Sequence, residues 1–150
     1  MVHVLVVVLV LISAPFLPEG LTAQQAGAVA GAPEASDLGF QLGSNYPNPF
    51  NPDTRIPFDL SESAFVEGRP VNVTIRIYDI LRQYVASPTA LSHPAGDGTP
   101  VIELEYTAPG RYEAYWDGRN RSGLFVRFGV YILELTVNGR SQNRRIFAGG

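Results

Sequence analysis

The sequence predicts an all-β protein, an antiparallel β-sandwich of about seven or eight strands. Apolar side chains recur at every second position in several separate stretches, the period of a half-buried strand. Turn-forming dipeptides such as Asp117-Gly118 and Asn138-Gly139 punctuate those stretches. No stretch carries a convincing helical repeat. Short strands joined by turns, without helices between them, make a sandwich.

The chain has 150 residues, enough for one domain and a short extension. Val4 to Ile12 is an unbroken apolar run followed by Pro15, Pro18 and the small residues near Ala23. That run is too short for a transmembrane helix and fits the core of a signal peptide over residues 1–23. Export is expected, with a mature chain beginning near Gln24 and no membrane span after cleavage. Residues 24–42, rich in Ala, Gly and Gln without a repeating period, read as a flexible linker. The domain is expected over residues 43–150.

Its opening, Tyr46-Pro47-Asn48-Pro49-Phe50-Asn51-Pro52, is a stiff ribbon. The prolines fix φ, remove three donors and push their neighbours toward extended geometry. Tyr46 and Phe50 are expected to pack on the sandwich, since aromatics on a stiffened ribbon lose little entropy when docked. The next strand turns Ile56, Phe58 and Leu60 to one side. Pro57 cannot donate to a ladder, which predicts an edge position.

Val71, Val73, Ile75 and Ile77 form the clearest strand. Asp79 to Arg82 turns the chain into a short strand around Gln83 to Ala86, and Ser87 to Pro100 reads as a long loop. Ile102, Leu104 and Tyr106 are expected to face one way in a further strand, against Val101, Glu103 and Glu105. Tyr112, Ala114 and Trp116 point inward in the next. Tyr131, Leu133 and Leu135 line a strand that Asn138-Gly139 folds into a hairpin ending near Phe147. The expected core is Ile56, Phe58, Leu60, Val73, Ile75, Ile77, Leu104, Tyr112, Trp116, Tyr131, Leu133 and Leu135.

Motifs for catalysis are missing. There is no cysteine, hence no disulfide framework or thiolate metal site. No Ser/His/Asp set, paired-carboxylate motif or phosphate-cradling loop stands out. His93 sits alone in the long loop, where a histidine is ordinarily a solvated side chain. Asp117, Asn120 and Ser122 offer oxygens to calcium but lack the carboxylates of a dedicated site, so turn capping is the expected role. Asn72 and Asn120 each open an N-glycosylation sequon. The expectation is a protein that is not an enzyme and needs neither cofactor nor metal. A net charge of −3 argues against nucleic acid as a partner. The charge is asymmetric: residues 111–150 hold seven arginines against Glu113, Asp117 and Glu134, which leaves about −7 on residues 1–110.

The ribbon, together with IRIYDILRQYV (75–85, containing Tyr78 and Asp79), GRYEAYWDGRNRSGLFV (110–126, containing Trp116, Asp117 and Gly118) and GVYILELTVNGRSQNRRIF (129–147, opening with Gly129 and Tyr131), resembles the C-terminal sorting domain of bacterial type IX secretion substrates. That family is itself similar to the Ig-like domain of the flagellar hook-capping protein. The resemblance implies an Ig-like sandwich, transit through the periplasm to the cell surface or medium, and recognition by secretion machinery or cell-surface proteins. It departs from the family at Arg82, where glycine is usual, and at Phe128, where serine is. The family's end commonly shows a basic residue followed by apolar ones, so the resemblance gives the recognition role to Arg144, Arg145, Ile146 and Phe147. Alternatively, Ile146 and Phe147 merely complete the last strand while the arginines keep an edge soluble. A structural interaction module of a cell-surface or flagellar-type assembly is the other functional reading.

Overall fold

A computed structural model of the chain describes residues 37–150. The expected signal segment and most of the expected linker lie outside the described residues. Among the described residues no helix is long and apolar enough to cross a membrane; the helical pieces are the 3₁₀ turns Glu62–Ala64 and Val66–Gly68.

Two antiparallel sheets pack face to face. Their strands are β1 (Phe40–Leu42), β2 (Thr54–Leu60), β3 (Val71–Tyr78), β4 (Tyr84–Ala86), β5 (Thr89–Ala90), β6 (Leu104–Tyr106), β7 (Gly110–Trp116), β8 (Gly129–Val137) and β9 (Arg140–Ala148). One sheet runs β1-β2-β7-β5; the other runs β4-β3-β8-β9, with β6 beside β4 on β3. Inward residues of β2, β3, β7 and β8 interleave between the sheets. Ile56, Phe58, Ile75, Ile77, Ala114, Leu133 and Leu135 are fully shielded from solvent. Each of these side chains except the small Ala114 contributes about 1.5–3 kcal/mol through burial. Of the expected core, Leu104 and Tyr112 are only partly buried, while Phe50, Val71, Val101, Val137 and Ile146 join it.

Four expectations need correction. The linker ends before Phe40, because Phe40 and Leu42 are buried and pair with Leu60 and Phe58. A three-residue strand is too short to show a period. The strand bearing Pro57 lies inside its sheet, between β1 and β7. Pro57 is tolerated there because its nitrogen faces the side where β1 has just ended; its carbonyl takes the Gly43 N–H at 2.9 Å on that same side. Val101, rather than Ile102, points inward, since Glu103 at φ 47° breaks the alternation and leaves Ile102 exposed. The long loop also contains β5, two residues paired with β7.

The turns follow local chemistry. Asn138 (φ 49°) and Gly139 (φ 80°) make the two-residue β8–β9 hairpin. Arg82 takes φ 63° without glycine's freedom, and the turn is held by the Asp79 carboxylate, which accepts the N–H groups of Leu81 and Gln83 at 2.8 and 2.9 Å. His93 accepts the Ala95 N–H at Nδ1, 3.0 Å, which places its proton on Nε2, 2.9 Å from the Glu105 carbonyl.

Tyr106 supplies a pH test of this packing. It is 3% exposed and stacks edgewise on Phe58 and Tyr112. Burial, with a smaller contribution from neighbouring Tyr112, pushes its phenol up to about 12. The unfolded chain loses that proton near the ordinary value of about 10, so the fold disfavours the phenolate. Stability is expected to be unaffected by this group below pH ~10 and to fall, by on the order of 2 kcal/mol, as the pH rises from there through ~12. Denaturant midpoints read across that window in Tyr106→Phe, which should lose this part of the fall, check it.

Candidate recognition surface

The two ends of the domain meet along one edge of the sandwich. β1 is the outer strand of its sheet and would leave backbone groups unpaired. Side chains of β9 fill that role. Arg140 donates to the Leu38 carbonyl at 3.0 Å. Gln142 accepts the Leu42 N–H at 2.8 Å and donates to the Phe40 carbonyl at 3.1 Å. Arg144 donates to the Leu42 carbonyl at 3.1 Å and to the Ser44 hydroxyl at 3.2 Å.

Further along, the ribbon takes over with one side chain and its own backbone. The Asn48 side-chain amide oxygen accepts the Phe147 N–H at 3.1 Å. The Phe50 N–H donates to the Phe147 carbonyl at 2.8 Å, and the Gly149 N–H to the Phe50 carbonyl at 2.8 Å. Phe50 and Ala148 thereby form a parallel bridge. Residues 38–50 thus run alongside residues 140–149 in the same direction. Tyr46–Pro47, Asn48–Pro49 and Asn51–Pro52 are cis peptides.

Beneath this seam lie the motif aromatics. Phe50 is 1% exposed, its ring centroid 5.0 Å from that of Trp116, which sits 6.0 Å from Tyr131. The Trp116 indole donates to the Arg119 carbonyl at 2.9 Å and the Tyr131 hydroxyl to the Arg127 carbonyl at 2.9 Å, so both rings are buried with their polar tips satisfied. Gly118 (φ 74°) passes so near the ribbon that a Cβ there would stand 1.9 Å from the Pro52 carbonyl oxygen. Only glycine fits. Asp117 accepts the Arg119 N–H at 3.0 Å, and Asn120 those of Ser122 and Leu124 at 2.9 and 3.1 Å, the expected capping work.

Tyr46 departs from expectation. It is 46% exposed rather than packed, and its hydroxyl donates to the Glu113 carboxylate, a bond that holds the phenol above its ordinary pKa. Asn45 and Thr54 are the buried polar residues here, the Asn45 amide donating to Thr54 Oγ1 at 3.1 Å. Tyr78 and Asp79 serve the β3–β4 turn; the Tyr78 hydroxyl donates to Glu134 at 3.4 Å.

The four residues assigned to recognition divide. Ile146 is wholly buried and belongs to the core, so it offers no contact surface. Arg144 is committed to β1 and Ser44. Arg145 is exposed and has no ion pair among the described residues; Phe147 is 43% exposed while its backbone carries the ribbon. Only these two remain available to a partner. Gln142 and Arg140 are structural residues that the sequence reading missed. Counting back from Ile146 in steps of two would have placed both on the inward face.

Among the described residues no group of three or more His, Cys, Asp or Glu side chains stands close enough to hold a metal. The arrangement displays side chains at fixed positions on a rigid frame. No family model matches the chain, and no curated protein matches it. A solved structure of dimeric latent PorU from Porphyromonas gingivalis is similar to it at 18% identity and a TM-score of 0.47, over 73% of this chain and 9% of that chain.

Proposed function

We propose that the domain is a non-catalytic, Ig-like C-terminal sorting signal of an exported polypeptide, read by type IX secretion machinery. One observation carries this reading. The ribbon and the last strand, the two most distinctive motifs of the resemblance, form one hydrogen-bonded seam that fixes Arg145 and Phe147 with their side chains outward. A signal that must be read after folding needs such a fixed display.

The test fuses residues 24–150 behind a signal peptide and a fluorescent reporter in a bacterium with the type IX system. The native fusion is expected at the surface or in the medium. The double variant Arg145→Glu, Phe147→Ser is expected to stay in the periplasm with an unchanged near-ultraviolet circular dichroism spectrum. If the native fusion also stays behind, the sorting role fails. The reading left is then a structural module packing against other subunits, which the exposed Leu124 (65%) and Phe128 (75%) favour.

A further inference from the structure

The outer face of the five-stranded sheet carries a groove that the seam does not use. Its volume is about 570 Å³, within the range of ligand-binding clefts. Val130 and Ile132 of β8 form the floor, Ile80 and Arg82 of the β3–β4 turn one wall, Asn143 and Arg145 of β9 the other. The register explains the layout. On this face Ile132 stands between Tyr78 and Arg145, Val130 opposite Phe147, and Glu134 between Arg76 and Asn143. Ile80 is 69% exposed, and apolar surface continues beyond the groove in Leu81 (73%) and Phe147 (43%).

The charge around that floor is unbalanced. Arg76, Arg82 and Arg145 are all exposed, and the one acid among them is Glu134, 3.9 Å from Arg82. The Asp79 carboxylate nearby is occupied by the turn's own N–H groups. An apolar trough with excess guanidinium on both banks is complementary to a ligand that is apolar along its middle and carboxylated at its margins, since arginine binds carboxylates in a two-pronged fashion. A bilayer would require a convex or flat surface and a larger basic cluster than three arginines and a glutamate.

We infer that this groove docks an extended segment of a partner protein that is apolar at its centre and carries acidic side chains at both ends. The inference deepens the sorting reading and rests on it, because Arg145 and Phe147 belong to both. It assigns a second contact region, the β3–β4 turn with Ile80 and Arg82, that the tail alone does not contain.

The probe is a fluorescein-labelled nonapeptide with a valine-rich centre and two glutamates at each end, titrated into the full chain and followed by fluorescence anisotropy. Saturable binding is expected, and none for the peptide with lysine in place of glutamate. Arg145→Glu and Arg82→Gly are each expected to weaken binding by about tenfold or more, the size expected for loss of an arginine–carboxylate pair. Arg82→Gly relieves a positive φ, so it removes the charge without endangering the turn. Arg69→Glu, whose native side chain pairs with Glu67 outside the groove, should bind as the native chain does. No saturable binding, equal binding of the lysine peptide, or equal weakening by Arg69→Glu would overturn the inference. So would capture of the chain by phosphatidylglycerol vesicles that the acidic peptide does not displace. The two proposals separate cleanly. Export that depends on Arg145 without peptide binding removes the groove and keeps the sorting role, whereas peptide binding without export does the reverse.

Discussion

Phe50→Ala is expected to lower stability by about 3–5 kcal/mol, the upper range for large-to-small changes at a buried site. The site has little means of collapse. The ring is 1% exposed against Trp116, and the N–H and carbonyl of the same residue are pinned by Phe147 and Gly149. The ribbon therefore cannot slide inward to fill the void without breaking two hydrogen bonds. For a domain whose net stability is of order 5–15 kcal/mol, the loss is a large fraction. Urea denaturation followed by Trp116 fluorescence measures it directly. An unchanged midpoint would mean that in solution the ribbon stands off the sandwich, and the seam with it.

Ending the chain after Asn143 is expected to abolish the cooperative thermal transition. The deleted residues include fully buried Ile146, whose truncation alone belongs to the class costing about 2–5 kcal/mol. They also include Arg144, which holds β1, and Phe147 and Gly149, which hold the ribbon. A native near-ultraviolet spectrum and a sharp melt from the shortened chain would refute this. The result bears on how the tail is to be tested. A truncated fusion that fails to leave the periplasm reports lost folding, whereas Arg145→Glu with Phe147→Ser changes only outward side chains.

Much of the sandwich is legible because its strands are long enough to show their period. Val71 to Ile77, Tyr112 to Trp116 and Tyr131 to Leu135 alternate over several residues, and each faces as the alternation demands. Phe40–Leu42 and Thr89–Ala90 offer no period to read, and they become strands only through neighbours distant in sequence. The reversal at Val101 and Ile102 hides for a different reason. Glu103 adopts a positive φ, which glycine would have advertised and glutamate does not. The seam was the least legible part. In Arg140-Ser141-Gln142-Asn143-Arg144 both faces are polar, so the strand resembles a solvated edge. Its inward face is polar because it meets a strand backbone in place of side chains, and that backbone lies about a hundred residues earlier in the chain.

The direction of the seam has a mechanical meaning. Because residues 38–50 and 140–149 run the same way, the polypeptide leaves the seam at opposite ends: before Leu38 beside Arg140, and after Gly149 beside Phe50. Tension applied through the two termini loads these hydrogen bonds in shear, so they share the force and must rupture together. In an antiparallel arrangement the same pull would open them one at a time. Removing one rung, as in Arg144→Ala, is expected to lower the rupture force in single-molecule stretching, and an unaltered force would place the resistance elsewhere. A domain joined in this way would hold its shape while pulled from both ends.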